Sequence, residues 1–145
     1  MGTPTSSRPS SAEPVTTAAA LQQRWAEVLA PPVFTARSLW MTWLDDAGVA
    51  VPLVVPIDEL PRRFDAVAAR GVVQLARTVL DEQAGGGHVA LALCRPGRLP
   101  ASHGDQEWAD GLGRAAAAGG LDSWSLHLAA GGSVQAMVAP PWPAR

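Results

Sequence analysis

Between Gly85-Gly86-Gly87 and Pro96-Gly97 lies His88-Val-Ala-Leu-Ala-Leu-Cys94, an apolar run in which polar and apolar positions do not alternate. A half-exposed strand would show a polar residue at every second place, so this run fits a strand covered on both faces. Such a strand needs neighbours on each side and further elements above and below it. The rest of the chain supplies them.

Leu21, Trp25, Val28 and Leu29 recur at helical spacing after Thr17, and Pro31-Pro32 ends that helix. Ser38 to Leu44 and Val49 to Val55 are rich in β-formers and flank Asp45-Asp46-Ala47-Gly48, which predicts an antiparallel hairpin. Phe64, Val67, Ala68, Val72, Leu75, Ala76, Val79 and Leu80 line one face of a second helix, closed by the triple glycine. A third helix is predicted from Ser102 or Gly104 to about Ala118, burying Trp108, Leu112, Ala115 and Ala116. Ser123 to Ala129 and Ser133 to Val138, either side of Gly131-Gly132, form a last hairpin. The order predicts an α/β (α+β) domain with a mixed sheet of about five strands and three helices packed on it. Residues 1–16, rich in Ser, Thr and Pro, predict a disordered tail; 17–138 form the single domain, and 139–145, with Pro140-Pro141-Trp142-Pro143, a non-helical C-terminal tail. No internal repeat is present.

Composition excludes several classes. A chain of 145 residues can bury roughly two-thirds of its unfolded surface without staples. The lone Cys94 offers no disulfide framework, and 1–16 contain no signal-peptide core, so a reducing, cytoplasmic setting is expected. Leu39 to Ile57, the most apolar stretch, is cut by Asp45, Asp46, Gly48, Pro52 and Pro56, so a membrane span is not expected. The net charge is −2 and the 11 basic residues, all Arg, are dispersed, which does not favour nucleic acid as a partner. That bias, with abundant Ala, Gly and Pro, looks like the product of a high-GC bacterial genome. There is no Gly-rich phosphate loop, nucleophile elbow or Cys-x-x-Cys pair.

The stretch Leu93-Cys94-Arg95-Pro96-Gly97, then Ala101-Ser102-His103-Gly104-Asp105, then Leu112, Ala115, Gly120-Leu121 and Leu126-His127-Leu128, resembles the signature region of RadC-like JAB/MPN domains. In that family a strand ends in His-x-His-Pro-Ser-Gly, a loop leads to Pro-Ser-x-x-Asp, and a helix follows before the final strands. With the Ser of Pro-Ser-Gly deleted, the spacing runs on to the end of the third helix. The resemblance covers roughly residues 20 to 138 and implies a JAB/MPN-like fold with cytidine-deaminase-like layering. It also implies a zinc site held by two histidines and an aspartate, with a glutamate from the early part of the domain as general base. Here the histidine positions hold Leu93 and Arg95, and only Asp105 matches a ligand; Glu59 is the nearest glutamate. Leucine has no lone pair and a guanidinium no acceptor, so no metal and no cofactor are expected.

Arg95 is expected to pair with Asp105 in place of the metal. The competing reading makes Asp105 only a helix cap, since Ser102-x-x-Asp105 is a capping-box-like start. Arg95, Arg98 and His103 are the candidate contacts to an anion or partner, and Arg62-Arg63 offers a further basic pair. A relocated metal site would draw on Cys94, His103, Asp105 and His127, although Cys94 reads better as core and His103 as solvated. His127 alternates with Leu126 and Leu128 and should face away from them, into solvent or a polar contact. Trp25 and Trp108 read as core, and Trp40 and Trp43 should point to opposite faces of the sheet. The leading expectation is a non-catalytic binding or accessory module that associates with itself or with a protein partner. The alternatives are a metal-dependent hydrolase or peptidase with a rearranged site and a small-anion binder centred on Arg95.

Overall fold

Each helix starts where a short polar side chain can accept a loose backbone N–H. Thr17 accepts from Ala20 at 3.1 Å, Asp65 from Val67 and Ala68 at 2.9 and 3.1 Å, and Ser102 from Asp105 at 3.2 Å. These caps open α1 (Ala18–Val28), α2 (Ala66–Gln83) and α3 (His103–Ala118). The computed structural model describes residues 13–142. Its strands are β1 (Ser38–Leu44), β2 (Ala50–Asp58), β3 (His88–Cys94), β4 (Trp124–Ala130) and β5 (Ser133–Val138).

The five strands form one mixed sheet in the order β2-β1-β3-β4-β5, with β3 and β4 parallel and every other pair antiparallel. β3 sits at the centre and is buried at all of its positions, which explains its unbroken apolar run. Leu39, Met41 and Trp43 of β1, Val89, Leu91 and Leu93 of β3, and Leu126 and Leu128 of β4 pack against α2 and α3. Leu44, Ala90, Ala92, Cys94 and Ala129 face the other way and pack on Leu21 and Trp25 of α1. The chain is thus an α+β domain of three layers.

Several expectations shift in detail. β2 extends to Asp58, past the expected end at Val55, because an edge strand tolerates Pro52 and Pro56 where their missing N–H groups would face outward. Phe64 precedes the cap of α2 and packs edge-on against Trp108, with ring centroids 5.1 Å apart. Its ring occupies the place a Cβ on Gly111 would take, so that helical glycine admits the contact. The tail expected over 1–16 lies outside the described residues through 12, but Val15 is buried and donates its N–H to Gly48 O at 2.7 Å. At the other end Trp142 packs on His88, and 143–145 lie outside the described residues. Trp43 donates to Ala76 O on one face, whereas Trp40, half-buried, donates to Ser38 Oγ on the other. Trp25 and Trp108 are fully buried. No helix among the described residues is long and apolar enough to cross a membrane.

Candidate functional site

β3 ends where α3 begins. Arg95 follows its last residue, donates its backbone N–H to Ala129 O at 3.2 Å, and turns its side chain towards the first turn of α3. Arg95 Nε lies 2.9 and 2.8 Å from the two Asp105 carboxylate oxygens, and Nη2 lies 2.8 Å from Oδ2. The remaining reach of the guanidinium is taken by Pro96 O at 2.9 Å and Pro100 O at 3.1 Å. Asp105 also accepts the Ser102 N–H at 2.8 Å while Ser102 Oγ takes the Asp105 N–H, closing a capping box. The two roles offered for Asp105 as alternatives are therefore filled together.

Burial of both partners is costly unless every polar group is met, and here the loop carbonyls and the cap meet most of them. Burial alone would push the Asp105 carboxyl up, but the Arg95 and Ser102 hydrogen bonds outweigh it and hold the group below its usual range. The pair is a fixed ionic clasp between strand and helix.

A cavity of about 470 Å³ opens beside this clasp, lined by Arg37, Arg62, Arg95, Arg98, Ser102, His103 and Gly104 with two prolines. All three expected contacts, Arg95, Arg98 and His103, line it, but they are unequal. The Arg95 guanidinium is spent on Asp105 and the loop, and His103 is exposed with Nε2 3.5 Å from Glu107 Oε2. Arg37, which the sequence reading missed, enters from the residue before β1. The Ser38–Cys94 pairing brings it beside Arg95, and its Nη1 lies 3.6 Å from Asp105 Oδ1. Only the strand register makes it visible. The turn Gly131-Gly132 seats the Pro96–Arg98 loop: Gly131 has φ 58°, and a Cβ there would meet Gly97 O at 2.9 Å.

Leu93, at the first position where the family resemblance implies an imidazole, is fully buried in the α2/α3 core. A divalent ion at this strand end would meet a methyl group and a guanidinium, so the donor set does not fit zinc. Glu59 follows β2 with φ 58° and is exposed; it does not line the cavity. The relocated set is not assembled either. Cys94 belongs to the α1 side of the sheet, as does His127 by alternation, while Asp105 and His103 stand on α3. Among the described residues no group of three or more His, Cys, Asp or Glu could hold a metal ion. Burial pushes the Cys94 thiol up to about 12, with a partial offset from Ser38, leaving it unreactive at neutral pH.

The opposite end of β3 carries a cluster that the apolar reading of this strand passed over. His88 Nδ1 lies 2.7 Å from Ser123 Oγ, Nε2 lies 2.9 Å from Ser125 Oγ, and the Trp142 ring centroid is 4.6 Å away. His127 faces away from Leu126 and Leu128 as expected, but meets neither solvent nor a polar contact at Nδ1, which has no hydrogen-bond partner among the described residues. The α1 layer excludes water from that face. Burial lowers both rings to about 4, His88 with a further contribution from His127, so both are neutral at pH 7.

Comparison with protein-family models, curated proteins and solved structures gives no match.

Proposed function

We propose that this chain is a non-catalytic binding or accessory domain on a degenerate JAB/MPN-like, RadC-like framework, working in a bacterial cytoplasm through a protein partner or its own copies. The observation that supports this reading is the buried Arg95–Asp105 ion pair. The one side chain matching a family ligand is held by a cation, at the end of a strand whose other ligand position is a leucine. The resemblance implies a strand, a loop, Ser-x-x-Asp and a helix followed by the last strands, and that order is present here. A rearranged metallohydrolase lacks this kind of support, because Cys94 and His127 lie on the other side of the sheet from Asp105.

Metal analysis of the purified, dialysed full chain tests the reading. Zinc far below one ion per chain is expected; stoichiometric zinc overturns it. A second variant reads the position itself. Leu93→His with Arg95→His recreates the missing imidazoles beside Asp105, and if circular dichroism shows it folded it should take up zinc. A folded variant that takes up none would break the correspondence with the metal site.

A further inference from the structure

We infer that the cavity beside the ion pair binds a small molecule through a phosphoryl dianion, as in a phosphate monoester. The inference rests on the metal-free reading above, since a cation in the wall would change the charge that the ligand meets. Arg95 and Asp105 neutralise each other, so the remaining charge of the cavity belongs to Arg37, Arg62 and Arg98. Arg62 and Arg98 reach no carboxylate among the described residues, and Asp58 and Glu59, at the same end of the sheet, stay outside the lining. Three guanidinium groups around one concavity favour an anion of two charges over one of a single charge.

Arg37 gives the most specific sign. Its Nη1 is shielded from solvent, yet among the described residues no hydrogen-bond acceptor is in reach; the nearest carboxylate oxygen, Asp105 Oδ1, stands at 3.6 Å. Buried donors left without an acceptor are costly and rare, and a turn of this side chain towards the cavity would give this one an anion oxygen. Arg95 contributes less, because its Nε and Nη2 donors and one Nη1 N–H are already directed at Asp105, Pro100 and Pro96. The recognition therefore centres on Arg37, Arg62 and Arg98, with Arg95 fixing the wall behind them.

Size and shape narrow the class. A volume of about 470 Å³ is larger than a bare oxyanion fills and falls in the range of small-molecule sites, roughly 300–1,000 Å³. Pro96 and Pro100 stiffen one wall, and Ser102 to Gly104 present the positive end of α3. The arginines gather in a hollow and do not form a stripe, which suits a compact ligand better than a nucleic-acid backbone.

The test is calorimetric titration of the full chain with glycerol phosphate and with acetate at one ionic strength, repeated on Arg62→Ala with Arg98→Ala. Both arginines are exposed, so the double variant should keep the unliganded melting temperature. Saturable binding of glycerol phosphate is expected, at least about tenfold tighter than acetate and weakened about tenfold or more in the double variant. Absence of saturable binding, equal affinity for acetate, or undiminished binding in the variant overturns the inference. Zinc is measured on the same samples: zinc-free protein that ignores the phosphate ester sinks this inference alone, whereas stoichiometric zinc sinks the reading beneath it.

Discussion

The two ends of β3 answer the same problem, polar groups that must sit against a dry core, in opposite ways. At its C-terminal end the chain keeps full charges and matches them: Arg95 against Asp105, with loop carbonyls taking two further donors. At its N-terminal end, and further along its face beside Ala92, where His127 of β4 lies, the chain keeps imidazoles and leaves them uncharged, His88 between two serine hydroxyls and His127 with one nitrogen unmet. The charged end borders a cavity lined by further arginines, where an ion pair can hold a loop in shape beside solvent. At the neutral end His88 is buried behind Ser123, Trp142 and the Val15 segment, with Asp45 and Asp46 on the far wall of a smaller cavity, and His127 is buried on the α1 side of the sheet. The buried carboxylate is ionised because a guanidinium meets it, and the buried imidazoles, met by hydroxyls or by nothing, are not.

Breaking the charged end should cost most. Arg95→Ala leaves Asp105 buried without its cation and is expected to lose about 3–5 kcal/mol in denaturant unfolding at neutral pH. A loss under about 1 kcal/mol would mean that the clasp is ornamental. Acid should then separate the two ends. A histidine whose folded pKa lies near 4, below its ordinary 6.5, binds its proton later in the folded state than in the unfolded one. Stability is therefore full above pH 6.5 and falls as pH drops from 6.5 to about 4, by roughly 3 kcal/mol for each ring. Asp105, whose carboxyl is held low, adds its own loss only as pH falls further, below the usual carboxylate range. Melting temperatures across this range should show the histidine limb first, and His127→Leu should make it shallower. A profile flat down to pH 4 would contradict the neutral end. The smallest effect belongs to the cap: Ser102→Ala removes the hydroxyl that takes the Asp105 N–H and should cost about 1 kcal/mol by thermal unfolding.

Local pattern carried much of this fold. The unbroken run in β3 and the parity of Trp40 and Trp43 each reflect a period set by a single element. The face expected on α2 is only partly right: Val72 and Ala76 are buried, but Val67 and Leu75 are exposed and Ala69 and Val73 turn inward, because where the sheet and α3 lie fixes which stripe is covered. What escaped depends on which elements become neighbours. Arg37 becomes a site residue only through the register of β1 on β3, and His88 meets Ser123 and Ser125 only because β4 runs parallel beside it. His127 was assigned the correct side of its strand, but nothing local announces that α1 would close over that side. The ends of β2 and the seating of Val15 were missed for a related reason: prolines and turn formers are ordinary loop signals unless the strand lies at an edge or the segment meets a surface already built.

That edge bears on how the chain could meet its own copies. Pro52 and Pro56 take two amide donors out of β2, whose far side has no strand beside it among the described residues. A second chain laid along this rim could not zip up a continuous ladder, since Pro52 and Pro56 would offer it a carbonyl but no N–H. Growth by adding strands is thereby discouraged on that flank, and any assembly would have to form through side chains or the opposite border at β5.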